Sequence, residues 1–535
     1  MFDFLLKKRG TGVLFCLSLF LTALCLSFIW PHDFSWMGYS NVLNSGDTAQ
    51  HVSGWYAFVN APWQFPLLKT TLFDYPVGTN ISLTDSIPLF ALIFKMIRVL
   101  LPSGFNYFSV FFIFCYVTQA LAAVTLALSL KQKNILAVAT FTLFAITMPI
   151  LNTQIGAEDS LACQAFILFA LALYFLNHEG RLSLRQVHIY FCLIIGLSLL
   201  VHPYLTAMCY PFYLGVIFEY HKRCRSGKVI LKYSLGMHGV ILLEFLFFGL
   251  GAGTQGVDGF GWLAMNLLSP FYGGILLHDQ SVPIRAGQAD VFCYLGLGLV
   301  FAIVFGLCLL KANFQKTLKQ YLPLCVIGVL FFVYSIYGAI YFGTFKIAEF
   351  GVPHFFLTYA FRSQGRFFWP CSYILLAFAL AILLKKMPKV SCFLLPVLFG
   401  VQIFDVSGYL LATKQTLEAN MQAAPHNKDL IVKMISKSKI VIVYPEMACP
   451  GFGGDNWIAK VQLLSAQSGV PINTAYTAHY ESGVNCQDQG SQFKALRPAL
   501  LVSPVDMASP TIQNILKVDP ARCQVVDQAY YCEEL

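Results

Sequence analysis

Charged residues are scarce in this sequence. Only 11% of its 535 residues are Asp, Glu, Lys or Arg, whereas 57% are hydrophobic, and the mean hydropathy is +0.66. A soluble protein carries about 25% charged residues, so lipid must solvate most of this chain. The net charge of +9 does not indicate a nucleic-acid partner, because the basic residues form short clusters between apolar runs. The composition therefore predicts a polytopic membrane protein.

Common cofactor motifs are also missing. None of the 16 cysteines forms a C-x-x-C pair, which argues against a zinc site. The glycine-rich stretch 450–454 lacks the Walker Lys-Ser/Thr and the dinucleotide spacing, so it is either a ligand loop or a simple turn. Four cysteines lie in the polar tail, and an even number outside the cytosol predicts two disulfides of open connectivity. They are Cys449, Cys486, Cys523 and Cys532.

Apolar segments long enough to cross about 30 Å of hydrocarbon number about eleven. The first follows a basic cluster and lacks a small-residue cleavage site, so we interpret it as an uncleaved span. The segment 87–101 decides the topology. It is short and contains Lys95 and Arg98, which favours an interfacial or re-entrant helix over a span. The predicted spans are 12–30, 106–130, 134–151, 160–177, 187–202, 204–220, 229–251, 291–310, 321–343, 370–384 and 390–411.

With that choice every short basic loop falls on one side, as the positive-inside rule requires. We expect a multi-pass protein of a bacterial inner (plasma) membrane with a cytoplasmic N-terminus. Residues 1–411 form an all-α polytopic membrane domain with a large outer loop at 31–104, and residues 412–535 form a small extracytoplasmic, periplasmic α/β domain. In that tail we predict strands at 439–445 and 523–531 and helices at 456–468 and 511–517.

The first outer loop concentrates acids and aromatic residues. Asp47 is our first choice for a general base that deprotonates an acceptor hydroxyl, although an Asp there could also cap a helix starting at Thr48. His51 lies in the same stretch and is a candidate for substrate binding. Trp55 could stack on a sugar ring or anchor the loop at the membrane interface. Asp85 could bind substrate or cap the helix that follows it.

Two further outer stretches add ionisable groups. Glu158 and Asp159 begin a span and could cooperate with Asp47 or hold a divalent cation such as Mg²⁺ or Mn²⁺, although two acids there also suit helix capping. His202 lies between two spans, where a polar group is costly and tends to be functional.

The most distinctive basic motif lies just before a late span. Arg362 and Arg366 are four residues apart, so on a helix they would share one face and could grip a phosphate with forked donors. Anchoring to lipid headgroups beside the Phe-Phe-Trp stretch is the alternative.

These strings resemble the GT-C superfamily of membrane glycosyltransferases and, more narrowly, an uncharacterised bacterial membrane protein family proposed to belong to it. The resemblance rests on 47–51 (DTAQH), 84–88 (TDSIP) and 362–370 (RSQGRFFWP), and it extends over about residues 1–411. It implies an inverting glycosyltransferase with a GT-C-like fold that takes a sugar from a polyprenyl-phosphate donor. An extracytoplasmic glycan or lipid would be the acceptor, Asp47 the base and Glu158 or Asp159 a second acid, while Arg362 and Arg366 would bind the donor phosphate. The sequence has Asp-Thr at 47–48 where several branches have paired acids, which weakens the case for a metal.

Two other functions fit a chain with many spans. A transporter or flippase of a lipid-linked glycan is one, but paired internal repeats are not evident and the ionisable groups gather at one face. A non-catalytic envelope assembly protein whose tail binds a partner is the other. Transfer activity that survives deletion of the tail would favour the enzyme over the assembly protein.

Overall fold

Long helices dominate the chain up to residue 421. The computed structural model describes residues 11–40, 42, 46–251, 255–256, 259–277, 291–311, 314–351, 356–422, 428–447, 449, 455–477, 479–480, 498–504, 520–526 and 529–534. Apolar runs form helices because a helix satisfies its backbone hydrogen bonds within one segment, as lipid requires. The first ten helices are α1 (Thr11–Ile29), α2 (Gly46–Asn60), α3 (Pro88–Met96), α4 (Phe108–Ser129), α5 (Ile135–Ile146), α6 (Pro149–Asn152), α7 (Ala165–His178), α8 (Leu184–Leu199), α9 (Pro203–Cys224) and α10 (Gly227–Phe248).

The later helices and several single turns of 3₁₀ helix complete this region. The 3₁₀ turns lie at Ile81–Thr84, Arg98–Leu100, Asp159–Ala162 and Gln364–Phe368. The helices are α11 (Leu297–Leu310), α12 (Phe314–Gln320), α13 (Leu322–Ile336), α14 (Phe356–Ala360), α15 (Trp369–Lys386) and α16 (Pro388–Met421).

Six helical segments in the described part of the chain are long and apolar enough to cross a membrane. The number becomes seven if α11 and α12, which meet at an angle of 105°, are counted as one span. The helices α5, α8 and α13 are apolar but shorter. The chain is therefore a membrane protein by composition and helix length, and the count of eleven spans stays a prediction. The six segments are Thr11–Ile29, Phe108–Ser129, Asp159–His178, Gly227–Phe248, Gln364–Lys386 and Pro388–Met421.

The segment that decides the topology forms only a short helix. The helix α3 has nine residues, so it is about 14 Å long at 1.5 Å per residue and is too short to cross about 30 Å of hydrocarbon. The last residue of α3 and the chain after it expose large apolar side chains: Met96 is 67% exposed, Val99 86% and Leu100 79%. This length and this exposure fit the interfacial helix that the sequence predicts.

Short strands pair within and beside the helical region. In antiparallel pairs, β1 (Lys69–Thr70) joins β2 (Thr79–Asn80), and β4 (Ala339–Phe342) joins β5 (Phe345–Glu349). A third antiparallel pair links distant parts of the chain, because β3 (Gln255–Gly256) pairs with β7 (His479–Tyr480).

The tail contains a mixed four-stranded sheet in the order β6 (Ile440–Val443), β8 (Ala499–Ser503), β10 (Ala529–Glu534) and β9 (Cys523–Val526). The strands β6 and β8 are parallel, and the other pairs are antiparallel. The predicted strand 523–531 is wrong in extent, because two strands of a hairpin, β9 and β10, occupy this stretch. A disulfide joins Cys523 of β9 to Cys532 of β10, and Cys449 is also disulfide-bonded. Cys486, the stretch 450–454 and the predicted helix 511–517 lie outside the described residues. The tail elements are α17 (Lys428–Ser436), β6 (Ile440–Val443), α18 (Asp455–Ser468), β8 (Ala499–Ser503), a 3₁₀ turn (Pro520–Arg522), β9 (Cys523–Val526) and β10 (Ala529–Glu534).

The helical region and the tail share one hydrophobic core. Buried side chains of α2, such as Phe58, belong to the same cluster as Ile458 and Leu464 of α18, which packs along α2. The helix α2 of the first loop thus packs against the tail.

Candidate functional site

Five ionisable side chains from five separate parts of the chain meet at one end of the helices. They are His51 on α2, Asp85 after the first 3₁₀ turn, Glu158 just before the 3₁₀ turn Asp159–Ala162, His202 at the start of α9 and Arg366 before α15. We call these five residues the polar cluster. All but Glu158 are at least four-fifths buried, with side chains between 1% and 19% exposed.

Three close contacts connect the cluster. His202 Nε2 lies 3.3 Å from Asp85 Oδ1, and Arg366 Nη2 lies 3.2 Å from Glu158 Oε1. His51 Nε2 lies 4.0 Å from Glu158 Oε2. One nitrogen of His51 and one oxygen each of Asp85 and Glu158 all lie within 4.8 Å of one another. The cluster thus combines two carboxylates, two imidazoles and one guanidinium around a small space.

A strained turn places Asp85. Asp85 and Ile87 have positive φ angles of 52° and 51°, a conformation that is costly for a β-branched residue and tends to be retained near functional sites. Ser86 holds the turn, because its hydroxyl donates to the His51 carbonyl at 2.6 Å and its own carbonyl accepts from the Tyr107 hydroxyl. Of the two alternatives for Asp85, capping is wrong, because Ile87 is the N-cap of α3 and no side chain among the described residues caps this helix.

A glycine lets α2 approach this turn. A Cβ on Gly54 would lie 2.0 Å from Thr84 Oγ1 and 2.1 Å from Ser86 Oγ, distances that no side chain tolerates. Gly54 is three residues after His51, so the same close approach brings His51 beside the Asp85 turn.

Charged neighbours set the ionisation of Asp85. Burial alone would raise the pKa of this carboxyl. The hydrogen bond from His202 and the electrostatic interactions with His202, His51 and Arg366 outweigh burial and lower the pKa of Asp85 from 3.8 to about 2. Asp85 is therefore a carboxylate at any physiological pH.

His202 serves both the backbone and Asp85. It is the N-cap of α9, where its Nδ1 accepts a hydrogen bond from the Tyr204 backbone N–H at 3.2 Å. A ring nitrogen that accepts carries no proton, so the neutral ring carries its proton on Nε2 and donates it to Asp85. The proline at 203 suits the first helical position, because its missing N–H needs no partner there.

Asp159 fixes the loop that carries Glu158. Its Oδ1 accepts hydrogen bonds from the Gly156 N–H at 2.8 Å and from the Tyr39 hydroxyl at 3.2 Å. The Gly156 carbonyl in turn accepts from Thr48 at 3.2 Å. Burial, and after it the charge of Asp159, raises the pKa of Tyr39 well above its usual value, so Tyr39 stays a donor. Asp159 is completely buried, and both His51 and Glu158 of the polar cluster interact with it electrostatically. These contacts assign it to the geometry of the loop, and its catalytic role stays a prediction.

The two arginines do not share a helical face. The helix α14 ends at Ala360 and the next turn is a 3₁₀ helix that begins at Gln364, so the four-residue spacing does not align Arg362 with Arg366. Arg366 is 9% exposed and faces Glu158, whereas Arg362 is half-buried and packs against Gly259.

Tyr204 interacts with both arginines. Its hydroxyl accepts from the Ser363 N–H at 2.9 Å, and the positive charges of Arg362 and Arg366 both act on it. The Arg366 guanidinium carbon lies 6.0 Å from the centre of the Tyr204 ring. A phosphate beside this tyrosine would therefore meet positive charge from both arginines.

Asp47 lies in the first turn of α2, not at its N-cap, because the helix begins at Gly46. Its carboxylate is exposed, and it accepts a hydrogen bond from the Tyr476 hydroxyl at 3.1 Å. Asp47 and His51 are four residues apart on one helix and so lie on the same face. The exposed carboxylate thus lies about one helical turn from the polar cluster.

Trp55 lies inside the protein. It is 1% exposed, its indole N–H donates to the Phe105 carbonyl at 2.8 Å, and its ring packs edge-on against Tyr107. The covered ring does not fit the predicted sugar-stacking role, and Trp55 instead ties α2 to the start of α4.

The polar cluster also offers ligands for a divalent cation. His51 is buried, and neither of its ring nitrogens has a hydrogen-bond partner among the described residues. One imidazole and two carboxylates suit Mn²⁺ or Zn²⁺ better than Mg²⁺, which prefers oxygen ligands alone. The candidate ligands in the structure are His51, Asp85 and Glu158, whereas the sequence offers Glu158 and Asp159 as one option for holding a cation. Arg366 pairs with Glu158 and so competes with a cation for this carboxylate. Glu158 is therefore available to a cation only when Arg366 pairs with another anion, such as a bound phosphate.

Three residues around the site have no local signal in the sequence. Gly54, Tyr204 and Tyr476 gain their roles from contacts with residues between 30 and 429 positions away in the chain. Only the His202-Pro203 pair, a helix start two residues before Tyr204, indicates that this tyrosine lies near the predicted outer face.

The fold and the site define a helical membrane protein with an ionisable cluster at one end of its helices. Residues 13–407 match a family model described as "Domain of unknown function (DUF6311)". This match covers well over half of the chain, which therefore belongs to that family. A comparison with curated proteins finds no match.

Solved structures of an oligosaccharyltransferase from Archaeoglobus fulgidus are similar to the chain at 11% identity. One, tethered to an acceptor peptide containing the NVT sequon, has a TM-score of 0.48 and covers 93% of this chain and 70% of that chain. AglB with an inhibitory peptide and a dolichol-phosphate has a TM-score of 0.48, with 94% and 70% covered. The complex with Zn and sulfate has a TM-score of 0.44, with 95% and 71% covered. At these values the likeness does not extend to activity.

Proposed function

We propose that the chain is an inverting membrane glycosyltransferase that transfers a sugar from a polyprenyl-phosphate donor to an extracytoplasmic glycan or lipid acceptor. One observation carries this proposal: a buried guanidinium, two carboxylates and an imidazole without a hydrogen-bond partner among the described residues meet beside an exposed carboxylate at one end of the helices. Grouping such charges is costly unless they act on a ligand, since each loses hydration on burial.

The donor phosphate binds at Arg366, and Arg362 adds positive charge near Tyr204. In a nearly water-free site a fixed guanidinium stabilises the negative charge that develops on a departing phosphate far more than it would in water. Arg366 already pairs with Glu158 at 3.2 Å, so the carboxylate keeps the guanidinium in place before the donor arrives.

Asp47 acts as the general base. Its carboxylate takes the proton of the acceptor hydroxyl while that oxygen bonds to the anomeric carbon, and the bond from this carbon to the phosphate oxygen breaks. Polyprenyl phosphate leaves with the bonding electrons, and attack opposite the leaving group inverts the anomeric centre. A divalent cation held by His51, Asp85 and Glu158 would supply further positive charge to the phosphate.

An apolar groove near Arg366 supports a lipid-linked donor. The groove has a volume of about 620 Å³ and is formed largely by side chains of α11, α13 and α15. It includes Phe368, two residues after Arg366, and reaches Leu318 on α12. A polyprenyl chain could occupy the groove while its phosphate stays at Arg366.

Basic residues at the other end of the helices support the proposed orientation. Arg181 donates to the Leu128 carbonyl at 2.7 Å, and Arg223 donates to the His178 carbonyl at 3.1 Å. The helix α7 separates this end from Glu158, and its 14 residues span about 21 Å. By the positive-inside rule, this separation supports a polar cluster on the extracytoplasmic face of a bacterial-type plasma membrane. The cluster at one end, not at mid-depth, also favours an enzyme over a transporter.

The experiment compares wild-type protein, Asp47→Asn and, as control, Asp429→Asn on the exposed surface of α17. Purified full-length protein in lipid nanodiscs is given polyprenyl-phosphate glucose, mannose, galactose or N-acetylglucosamine with a labelled sugar, and release or transfer of the label is measured. Loss of a general base lowers turnover by about 10²–10⁴-fold, so we expect Asp47→Asn to be nearly inactive and the control to match wild type. Equal turnover by Asp47→Asn, or no turnover by wild type with any donor, refutes the proposal.

A further inference from the structure

The tail of the chain packs on the helix that carries Asp47. The helix α18 lies along α2, and the Gln462 side chain donates from Nε2 to the Ser53 hydroxyl at 2.7 Å. Further along, Asn60 of α2 donates to the Ala466 carbonyl at 2.8 Å. These two bonds fix one register of α18 against α2.

The same glutamine holds the backbone of Tyr476. Gln462 Oε1 accepts from the Tyr476 N–H at 2.5 Å, and its Nε2 lies 3.4 Å from the Tyr476 carbonyl. Gln462 is completely buried. A single side chain therefore connects Ser53 on α2 to the backbone of Tyr476.

The first loop also forms hydrogen bonds with the tail. The Ile472 N–H donates to the Leu72 carbonyl at 2.9 Å, and the Tyr75 N–H donates to the Ile472 carbonyl at 3.0 Å. Tyr476 is four residues further along. Its position is thus determined by contacts to both α2 and the first loop, and from there its hydroxyl donates to Asp47 Oδ1 at 3.1 Å.

We propose that Tyr476 is a positioning residue for Asp47, so that the tail completes the active site. The matched family region ends at residue 407, which makes Tyr476 a contribution from outside it. The phenol holds one oxygen of an otherwise exposed carboxylate and leaves the other to face the acceptor hydroxyl. A base that is held in one orientation needs less reorganisation in the transition state than one that rotates freely. This inference rests on the proposed role of Asp47 as base.

The test is Tyr476→Phe, which removes the hydroxyl and keeps the ring. The matched control is Tyr444→Phe, since Tyr444 packs against Leu501 and Cys532 of the tail sheet. Full-length proteins are compared with the donor panel given above. Loss of a hydrogen bond to an ionised group at a partly exposed site changes a rate or equilibrium constant by about tenfold. We expect kcat to fall about tenfold in Tyr476→Phe, with KM and Tm unchanged, and the control to match wild type. In an Asp47→Asn background, Tyr476→Phe should cause no further loss.

The outcomes separate the two proposals. If Asp47→Asn is inactive while Tyr476→Phe keeps the wild-type kcat, the positioning role is refuted and the proposed function stands. A rise in KM at constant kcat means that Tyr476 contacts substrate, which also refutes positioning. An equal loss in both tyrosine variants, with a lower Tm, assigns a structural role only. If Asp47→Asn is as active as wild type, the proposed function itself fails.

Discussion

Asp85→Asn should destabilise the protein in a pH-dependent way. The Asp85 side chain is 19% exposed, and its pKa falls from 3.8 to about 2 in the folded protein. At about 1.36 kcal/mol for each tenfold change in proton affinity, this difference contributes about 2 kcal/mol to the free energy of unfolding near pH 7. With an unfolding entropy of about 2.1 cal/mol/K per residue, a loss of that size lowers Tm by about 2 °C.

The pH dependence distinguishes a carboxylate effect from lost packing. A group whose pKa is lower in the folded state stabilises it above the unfolded pKa, and this stabilisation disappears as the pH falls through the folded pKa. The difference between wild type and Asp85→Asn should therefore be constant at pH 6–7, fall to about half at pH 3 and nearly disappear at pH 2.

The assay is thermal unfolding of both proteins in detergent micelles, followed by intrinsic fluorescence from pH 2 to pH 7. Asp429→Asn serves as control because Asp429 is exposed, and surface substitutions change stability by less than about 0.5 kcal/mol. A Tm difference that does not vary with pH, or one equal to that of the control, would show that Asp85 is not stabilised as a carboxylate by His202 and Arg366.

Two other predictions concern ligands of the polar cluster. If His51 binds a cation, titration of the full-length protein with Mn²⁺ alone should show one site by electron paramagnetic resonance, and His51→Ala should lower the Mn²⁺ affinity of this site at least about tenfold. The control His32→Ala, at an exposed histidine, should leave the affinity unchanged. Identical titrations for both variants would exclude a metal at His51. Arg366→Lys keeps the positive charge and loses the two parallel hydrogen bonds of the guanidinium, so turnover of the lipid-linked sugar should fall about tenfold more than in Arg362→Lys. Equal effects of the two substitutions would contradict the assignment of the phosphate to Arg366.

The sequence predicts the members of the polar cluster better than their roles. His51, Asp85, Glu158, His202 and Arg366 are all polar groups beside apolar runs, where burial is costly, so each can be singled out locally. Their meeting depends on the packing of α2, α9 and the turn after Tyr359, and local periodicity contains no information on such distant contacts. The short length of the segment 87–101 predicts only that these five residues lie on the same side of the membrane.

The incorrect predictions have local physical causes. The spacing of Arg362 and Arg366 indicates a shared face only if the backbone is α-helical, and a 3₁₀ turn intervenes. Trp55 satisfies its indole N–H inside the protein, which composition alone does not reveal. Asp85 pairs with the His202 imidazole, whose Nε2 lies 3.3 Å away, and not with the backbone N–H groups at the N-terminus of α3.

The tail was the least predictable part of the site. Its strand at 499–503 is an apolar run that is easily recognised once the parallel partner at 440–443 is known. The hydrogen bond from Tyr476 to Asp47 joins residues 429 positions apart and follows only from the docking of α18 on α2.

The central claim is that the polar cluster binds the phosphate of a lipid-linked donor. The most direct measurement is an electron cryomicroscopy structure of the full-length protein in nanodiscs with polyprenyl phosphate. We predict phosphate density within hydrogen-bonding distance of the Arg366 guanidinium, with the lipid chain entering the groove beside Phe368. Phosphate density at the opposite end, beside Arg181 and Arg223, or a lipid bound with no density at Arg366, would contradict the account.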